Sequence, residues 1–173
     1  MKQYCVYTDG SFGEDGLTHG GIVFINPVTQ ETMSKLHVFT SLKQFVSMRN
    51  VGGEILAAWS AVFSIVQDIV ANNSADVEEE VVIDLYFDYE GVGKWYTGKW
   101  QARKPATIWY RDNLNKLLAK LPNAKLNMHW VRGHVGNIFN EVADGVASYV
   151  NYMNKGINVV NMDDIVSENM KSD

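Results

Sequence analysis

The chain has 173 residues, 46% of them hydrophobic and 20% charged, so it is long enough to bury the core of one globular domain. Its single cysteine, Cys5, excludes an internal disulfide and a cysteine-rich zinc site, and a reducing, cytoplasmic compartment is expected. The formal net charge of −5 gives no general attraction for nucleic acids, and with neither a signal peptide nor an apolar run of about 18 residues we expect no membrane partner.

The first part of the chain predicts three β-strands in succession. Each is rich in β-branched and aromatic residues and is bounded by turn signals: residues 3–8, 20–26 and 31–40. The first is expected to end at Asp9 and Gly10. Because the links between them are short, we expect the three strands to form an antiparallel meander.

The remainder alternates between helical and strand patterns. Apolar residues recur at three- and four-residue spacing in three segments, which predicts helices over 53–70, 105–121 and 139–153. Between them, residues 81–88 form a nearly continuous apolar run typical of a buried parallel strand, and residues 125–131 alternate. The order predicts an α/β fold with a mixed five-stranded sheet, three antiparallel strands followed by two parallel crossover strands, flanked by helices.

Four acidic residues stand where the predicted elements begin or end. Asp9 and Asp88 follow strands, Glu54 opens the central helix, and Asp144 lies near the start of the last helix. Each has a structural alternative: Asp9 could stabilise a turn, and acids in a first helical turn complement the helix macrodipole. If all four converge, their mutual repulsion requires compensation, and oxygen ligands of this kind suit Mg²⁺ or Mn²⁺.

Basic and acidic residues are segregated along the chain. Residues 94–111 contain five basic side chains and no acid, together with three tryptophans and two tyrosines, whereas residues 76–90 contain seven acids and no base. Basic residues interleaved with aromatic rings are typical of a nucleic-acid contact, although we expect Trp109 to lie in the core.

Four segments together resemble the ribonuclease HI family: YTDGSF, GGEILAAW, LYFDYEGVGKW and HWVRGHVGNIFNEVADGVA. The likeness extends from residue 3 to about residue 153, and its last segment is the most specific because His134, Asn140 and Asp144 keep the family's spacing. It implies a ribonuclease H-like fold, with a catalytic domain over 1–153. Residues 154–173 are then an acidic tail, either a short docking helix or disordered.

The resemblance also assigns roles to residues. It implies that Asp9, Glu54, Asp88 and Asp144 bind two metal ions, and that His134 is the family's mobile histidine, which assists proton transfer or product release. The alternative for His134 is a solvated loop histidine.

Substrate contacts are implied in the same way. They comprise Gly10, Ser11 and Asn50 for the RNA strand, the segment with Trp95, Lys99, Arg103 and Lys104 for the DNA strand, and Asn140. Ordinary turn chemistry is the alternative for Ser11 and Asn50. Two departures from the best-known bacterial pattern are a shortened basic segment and the sequence VGG before Glu54.

The implied activity is endonucleolytic hydrolysis of the RNA strand of RNA–DNA hybrids by two-metal-ion catalysis, which leaves 5′-phosphate and 3′-hydroxyl ends. We expect a monomer that uses Mg²⁺, with Mn²⁺ as a substitute, and no organic cofactor. Two alternatives remain open: another nuclease or strand-transfer enzyme of the same fold that acts on DNA, and a hybrid-binding module without turnover.

Overall fold

The computed structural model describes residues 1–72, 79–132, 137–148 and 157–170. The described helices and strands follow one another in this order: β1 (Lys2–Phe12), β2 (Thr18–Ile25), β3 (Thr32–Thr40), α1 (Lys43–Val46), α2 (Asn50–Asn72), β4 (Val81–Phe87), α3 (Gly91–Thr97), α4 (Pro105–Leu118), β5 (Ala124–Trp130), α5 (Ile138–Ser148), β6 (Asn158–Asn161) and α6 (Asp163–Met170).

The strands form one mixed sheet in the spatial order β5-β4-β1-β2-β3-β6. β1, β2 and β3 pair antiparallel, whereas β4 pairs parallel with β1, and β5 pairs parallel with β4. The predicted α/β class and the order of the first five strands are confirmed. The prediction of five strands was one short, because β6 adds a parallel strand to β3.

β1 is longer than predicted. It does not end at Asp9 but continues to Phe12, and β2 pairs with it along this extension, with Asp9 opposite Gly21 and Gly10 opposite Gly20. Asp-Gly-Ser has the composition of a turn, and pairing with β2 overrides that local preference. β4, in contrast, pairs with β1 only as far as Tyr7, so Asp9 lies just beyond the end of their parallel ladder.

Helices cover both faces of the sheet. Because successive side chains of a strand point to opposite faces, Val6 joins the core with α2 and α4, whereas Tyr7 joins a second cluster with α5. Trp109 of α4 is 7% exposed and packs 4.8 Å from Trp59 of α2, measured between ring centroids, so it lies in the core as predicted.

The central helix α2 is apolar on most of its surface. Within the 22 residues Asn50–Ala71, an 18-residue window has a mean hydropathy of 1.5, so the expectation that no apolar run is long enough to cross a membrane was wrong. Inside the protein, 67% of the apolar window is buried. That burial explains the composition, because a helix enclosed by a sheet and other helices needs apolar side chains on most faces.

The C-terminal segment forms β6 and α6. Met162 and Val166 are at most 2% exposed, and Asp163 accepts hydrogen bonds from Thr40 Oγ1 (2.6 Å) and from the backbone nitrogen of Ser41 (2.9 Å). The segment therefore closes the β3 edge of the sheet. The division between a catalytic domain and a tail at residue 153 stays a prediction, since residues 149–156 lie outside the described ranges.

Candidate active site

Three carboxylates from distant parts of the chain meet at one edge of the sheet. Asp9 comes from β1, Asp88 follows the last residue of β4, and Glu54 lies in the first turns of α2; one oxygen from each lies within 4.8 Å of the other two. Asp9 and Glu54 are 4% exposed. Among the described residues, this is a group of acids close enough to share one cation.

The meeting depends on an unusually close contact between β1 and α2. A Cβ atom added to Gly10 would lie 2.2 Å from the backbone nitrogen of Glu54, and one added to Gly53 would lie 2.2 Å from the carbonyl oxygen of His19. No side chain fits at either position. The glycines before Glu54, which depart from the familiar family pattern, therefore allow the start of α2 to rest directly on β1 and bring Glu54 to Asp9.

α5 supplies the fourth carboxylate from the other side of the sheet. A Cβ atom added to Gly21 of β2 would lie 2.3 Å from the carbonyl oxygen of Ala143, so α5 also rests directly on a strand backbone. Asp144 comes within hydrogen-bonding distance of Asp9. The four predicted carboxylates thus line one cavity of about 360 Å³, which we call the acidic cavity: Asp9, Gly10, Asn50, Glu54, Asp88, Tyr89 and Asp144.

Burial and mutual repulsion change the ionisation of these acids. Burial, the neighbouring charge of Asp88 and the contact with Asp144 raise the pKa of Asp9 to about 8, although the backbone N–H of Gly10 donates to Asp9 Oδ1 (2.9 Å) and opposes the shift. Burial, followed by the charges of Asp9 and Asp88, raises the pKa of Glu54 well above its ordinary value. The raised pKa values indicate that too little positive charge lies near these carboxylates to balance their negative charge.

The donor set fits a hard divalent cation. Glu54 lines the cavity, and its buried Oε1 has no hydrogen-bond partner among the described residues, so it can still accept a ligand contact. The oxygens come from carboxylates, and no cysteine or histidine joins them among the described residues. Carboxylate oxygens are the ligands preferred by cations such as Mg²⁺ and Mn²⁺ rather than by zinc.

A second cavity of about 450 Å³ adjoins the acidic one, because both are lined by Asn50 and Tyr89. We call it the basic cavity; its lining also includes Arg49, Trp95, Gln101, Arg103, Lys104 and Thr107. The predicted contacts Asn50, Trp95, Arg103 and Lys104 are therefore brought together. Positive charge and an aromatic ring lie directly beside the carboxylates.

Arg49 and Tyr89 are among the residues of the basic cavity that were not predicted from the sequence. Arg49 precedes α2 with a left-handed φ of 53°, and its guanidinium carbon lies 5.3 Å from the centroid of the Phe12 ring. Tyr89 packs its ring 5.8 Å from that of Trp95. Arg49 precedes Asn50 and Tyr89 follows Asp88, and this proximity in sequence could have identified both as lining residues.

The remaining predicted contacts lie elsewhere. Lys99 lines a different, smaller cavity of about 170 Å³. Ser11 pairs with His19 in the sheet beside Gly10. Asn140 is 1% exposed, and within the described part of the chain neither polar atom of its side chain has a partner; its role as a substrate contact stays a prediction. His134 lies outside the described residues.

The chain is similar to several known proteins. The RNase H family model matches residues 1–151. The ribonuclease H of Orientia tsutsugamushi is 33% identical over 74 residues, 38% of this chain, and the match spans less than half (44%) of that relative's length. The ribonuclease H of Vibrio campbellii is 27% identical over 149 residues, 84% of this chain and 88% of that protein. LC11-RNase H1, solved in complex with an RNA/DNA hybrid, has the same fold, with a TM-score of 0.60 and 16% identity over 83% of this chain and 92% of its own.

Proposed function

Because the chain belongs to the ribonuclease H family, we propose that it is an endoribonuclease that hydrolyses the RNA strand of RNA–DNA hybrids and leaves 5′-phosphate and 3′-hydroxyl ends. The observation that carries the proposal is the convergence of Asp9, Glu54, Asp88 and Asp144 in one cavity beside a basic one. The cofactor in this proposal is a pair of Mg²⁺ ions, for which Mn²⁺ can substitute.

In this mechanism the carboxylates hold and orient the two cations, and none of them attacks the substrate. When bound, two divalent cations supply an activated water and stabilise the negative charge of the leaving 3′-oxygen. Asp9 and Glu54 must lose their protons to act as ligands, since their raised pKa values favour the protonated forms. The close packing of β1 against α2 keeps the two side chains oriented, which reduces the entropy lost on binding.

The hybrid would lie across both cavities. Arg49, Arg103 and Lys104 line the basic cavity and can contact phosphates of the DNA strand, and the half-buried ring of Trp95 can pack against its sugars. Asn50 lines both cavities, so its amide can reach a ribose 2′-hydroxyl close to the cleaved bond. Gly10 and Ser11 offer backbone groups on the same edge of the sheet.

Other parts of the proposal rest on the family resemblance alone. They are the proton-transfer or product-release role of His134, the substrate contact of Asn140, the monomeric state, the cytoplasmic location and the absence of an organic cofactor.

The test of this function is cleavage of a matched panel of labelled duplexes, RNA–DNA, RNA–RNA and DNA–DNA, titrated with Mg²⁺ and with Mn²⁺. We expect cuts only in the RNA strand of the hybrid, with 5′-phosphate ends. Cleavage of DNA would favour the alternative of a DNA-directed nuclease of this fold, and tight hybrid binding without cleavage at any metal concentration would favour the binding module.

The basic cavity is tested by the double variant Arg103→Ala/Lys104→Ala, with Lys120→Ala, an exposed lysine after α4, as the control. Removing two phosphate contacts should weaken hybrid affinity and reduce the slope of log affinity against log salt by about 2. Lys99→Ala should have a smaller effect, because Lys99 lines another cavity. A slope unchanged from wild type in the double variant would remove the basic cavity from the substrate path.

A further inference from the structure

Two buried histidines on neighbouring strands form a hydrogen-bonded chain outside both cavities. His19 of β2 and His37 of β3 are each 2% exposed, and His19 Nδ1 lies 2.9 Å from His37 Nε2. At one end, His37 Nδ1 lies 2.7 Å from the carbonyl oxygen of Val146 in α5. At the other end, His19 Nε2 lies 3.1 Å and 3.0 Å from the two carboxylate oxygens of Asp15, in the loop between β1 and β2.

These contacts determine how many protons the two rings carry. The carbonyl and the ionised carboxylate can only accept hydrogen bonds, so His37 Nδ1 and His19 Nε2 must each bear a hydrogen. The contact between the rings needs one more hydrogen, on one of the two facing nitrogens. Three protons on four ring nitrogens give the pair one positive charge. With two protons one contact would bring two acceptors together, and with four the facing N–H groups would repel.

The charged neighbour of the pair lies on the His19 side. Burial lowers the pKa of His37, with a smaller contribution from the neighbouring His19 ring. Burial tends to raise the pKa of Asp15, but the hydrogen bond from the Leu17 N–H and the contact with His19 outweigh it, so the pKa is lowered. Among the described residues, Asp15 is the charged group in contact with the pair. The neighbouring ring on β3 is uncharged: the centroid of Phe39 lies 6.0 Å from that of His19.

The loop after β1 is shaped to present Asp15 to the ring. A Cβ atom added to Gly13 would lie 2.5 Å from Asp15 Oδ1 and 2.9 Å from His19 Nε2, so a side chain there would push the two groups out of their present positions. The loop closes on itself through hydrogen bonds between the Gly13 nitrogen and the Leu17 oxygen and between the Gly16 nitrogen and the Gly13 oxygen, both 3.0 Å. The contact between Asp15 and His19 is therefore supported by a folded loop.

The other end of the chain reaches the helix that carries Asp144. Val146 is two residues after Asp144 on α5, and α5 rests on the backbone of Gly21, which pairs with His37 across the β2–β3 ladder. Apolar packing against β1 and β2 holds α5 on the sheet, and the hydrogen bond from His37 to the Val146 carbonyl adds a directional contact with β3 close to Asp144.

We propose that Asp15, His19 and His37 are positioning residues that, through one shared proton, hold α5 so that Asp144 reaches the cation site. The consequence for hybrid cleavage rests on the proposed function, whereas the consequences for cation affinity and for the proton count do not. When the pair loses its proton, one of the three contacts fails and the hold on α5 weakens, which opposes the gain in cation affinity that ionisation of Asp9 and Glu54 brings as the pH rises.

The first experiment compares His37→Gln with His37→Asn by calorimetric titration of the metal-free protein with Mn²⁺. An asparagine amide nitrogen can replace Nδ1 as donor to Val146, whereas glutamine replaces Nε2 instead. Residues that orient metal ligands typically change affinity or activity 10–100-fold. We therefore expect about 10–100-fold weaker Mn²⁺ binding in His37→Gln and a smaller loss in His37→Asn. The control is His129→Gln, because His129 of β5 pairs with Asp84 of β4 (2.7 Å) and takes no part in the chain from Asp15 to Val146; this variant should bind Mn²⁺ as wild type does. Equal, wild-type affinity in both His37 variants would overturn the proposal.

A second pair of measurements applies even if the His37 variants do not fold. Ring-nitrogen NMR of the wild-type protein at neutral pH should show three protons on the four nitrogens of His19 and His37, and two neutral rings would overturn the proposal. Asp15→Asn removes the counter-charge but keeps an acceptor, so the pair should lose its proton at lower pH, and over that pH range the variant should bind Mn²⁺ more weakly than wild type does at the same pH. Equal affinities of the two proteins at every pH would contradict the positioning role. If wild type binds Mn²⁺ in this pattern but cleaves no hybrid, the proposed function fails and the positioning inference stands.

Discussion

Acidic side chains occupy two opposite environments in this protein. In the acidic cavity, Asp9 and Glu54 are buried against each other and Asp88, and their pKa values are raised. Asp163, at the start of α6, accepts hydrogen bonds from Thr40 and Ser41, and these outweigh the effect of partial burial, so its pKa is lowered.

This difference distinguishes carboxylates that can bind a metal ion from carboxylates that have a structural role. Asp84 resembles Asp163: it accepts from His129 (2.7 Å) and Asn127 (3.1 Å), and these contacts lower its pKa against the effect of burial. The fold thus provides donors where a carboxylate has a structural role. In the acidic cavity Glu54 Oε1 has no donor among the described residues, and the raised pKa values mean that protons neutralise these acids until a cation replaces them.

The largest effect is expected when Asp88→Asn is compared with a second neutralising substitution four residues away in sequence. Asp88→Asn removes a member of the carboxylate cluster, and hybrid cleavage should fall by more than about 100-fold, the upper range for residues that only orient metal ligands. Its unfolding temperature should stay the same or rise, because repulsion with Asp9 and Glu54 is relieved. Cleavage rates at saturating Mg²⁺ and thermal unfolding of the metal-free protein measure the two effects.

Asp84→Asn is the matched control. It sits on β4, next to the cluster in sequence but bound by donors from β5, so it should keep cleavage activity and lose stability. If both variants kept cleavage, or both lost it, the contrast between carboxylates that repel one another and carboxylates that accept hydrogen bonds would have no functional meaning.

A smaller effect should appear in the pH dependence of the metal-free protein. Folded Asp9 keeps its proton up to about pH 8, compared with an ordinary pKa of 3.8, so the folded state binds more protons than the unfolded state between these values. The free energy of unfolding should therefore fall as the pH rises from about 4 to about 8. At 100 times its dissociation constant, Mg²⁺ should restore about 2.7 kcal/mol.

Asp9→Asn serves to separate this contribution from the rest of the protein. The variant should show a flatter stability profile and little stabilisation by Mg²⁺, with NaCl at equal ionic strength as the salt control. Metal-free wild type and Asp9→Asn whose stabilities change with pH in the same way over this range would contradict the raised pKa of Asp9.

Much of the fold could be predicted because its long elements have strong patterns. The apolar periodicity of α2 and the unbroken run of β4 leave little choice of structure. The pattern fails where the elements are short: α1 has four residues and β6 has four, too few for a period to show. β1 was cut short at Asp9 because pairing of Gly10 with Gly20 is a tertiary effect that its own sequence does not contain.

The site divides in the same way. The four carboxylates could be located because each stands at a boundary of a predicted element or in a family motif, and the structure brings them to one cavity. The chain from Asp15 through His19 to His37 could not, because it joins two strands and a helix whose side chains are unrelated in sequence spacing. Periodicity predicts faces of elements, not the contacts between faces of different elements.

The smallest effect is expected at Asp163, whose carboxylate accepts hydrogen bonds. Asp163→Asn retains an acceptor for Thr40 and Ser41 but loses the negative charge, so the unfolding free energy at pH 7 should drop by about 1 kcal/mol while hybrid cleavage is unchanged. Because the pKa of Asp163 is lowered in the folded protein, its contribution is present above the unfolded value and disappears as the pH falls through the folded one. Wild type and variant should therefore converge in urea unfolding at acid pH. Asp164→Asn, one residue on and exposed, should show no difference at any pH, and a similar loss there would mean that net charge rather than the anchoring of α6 is responsible.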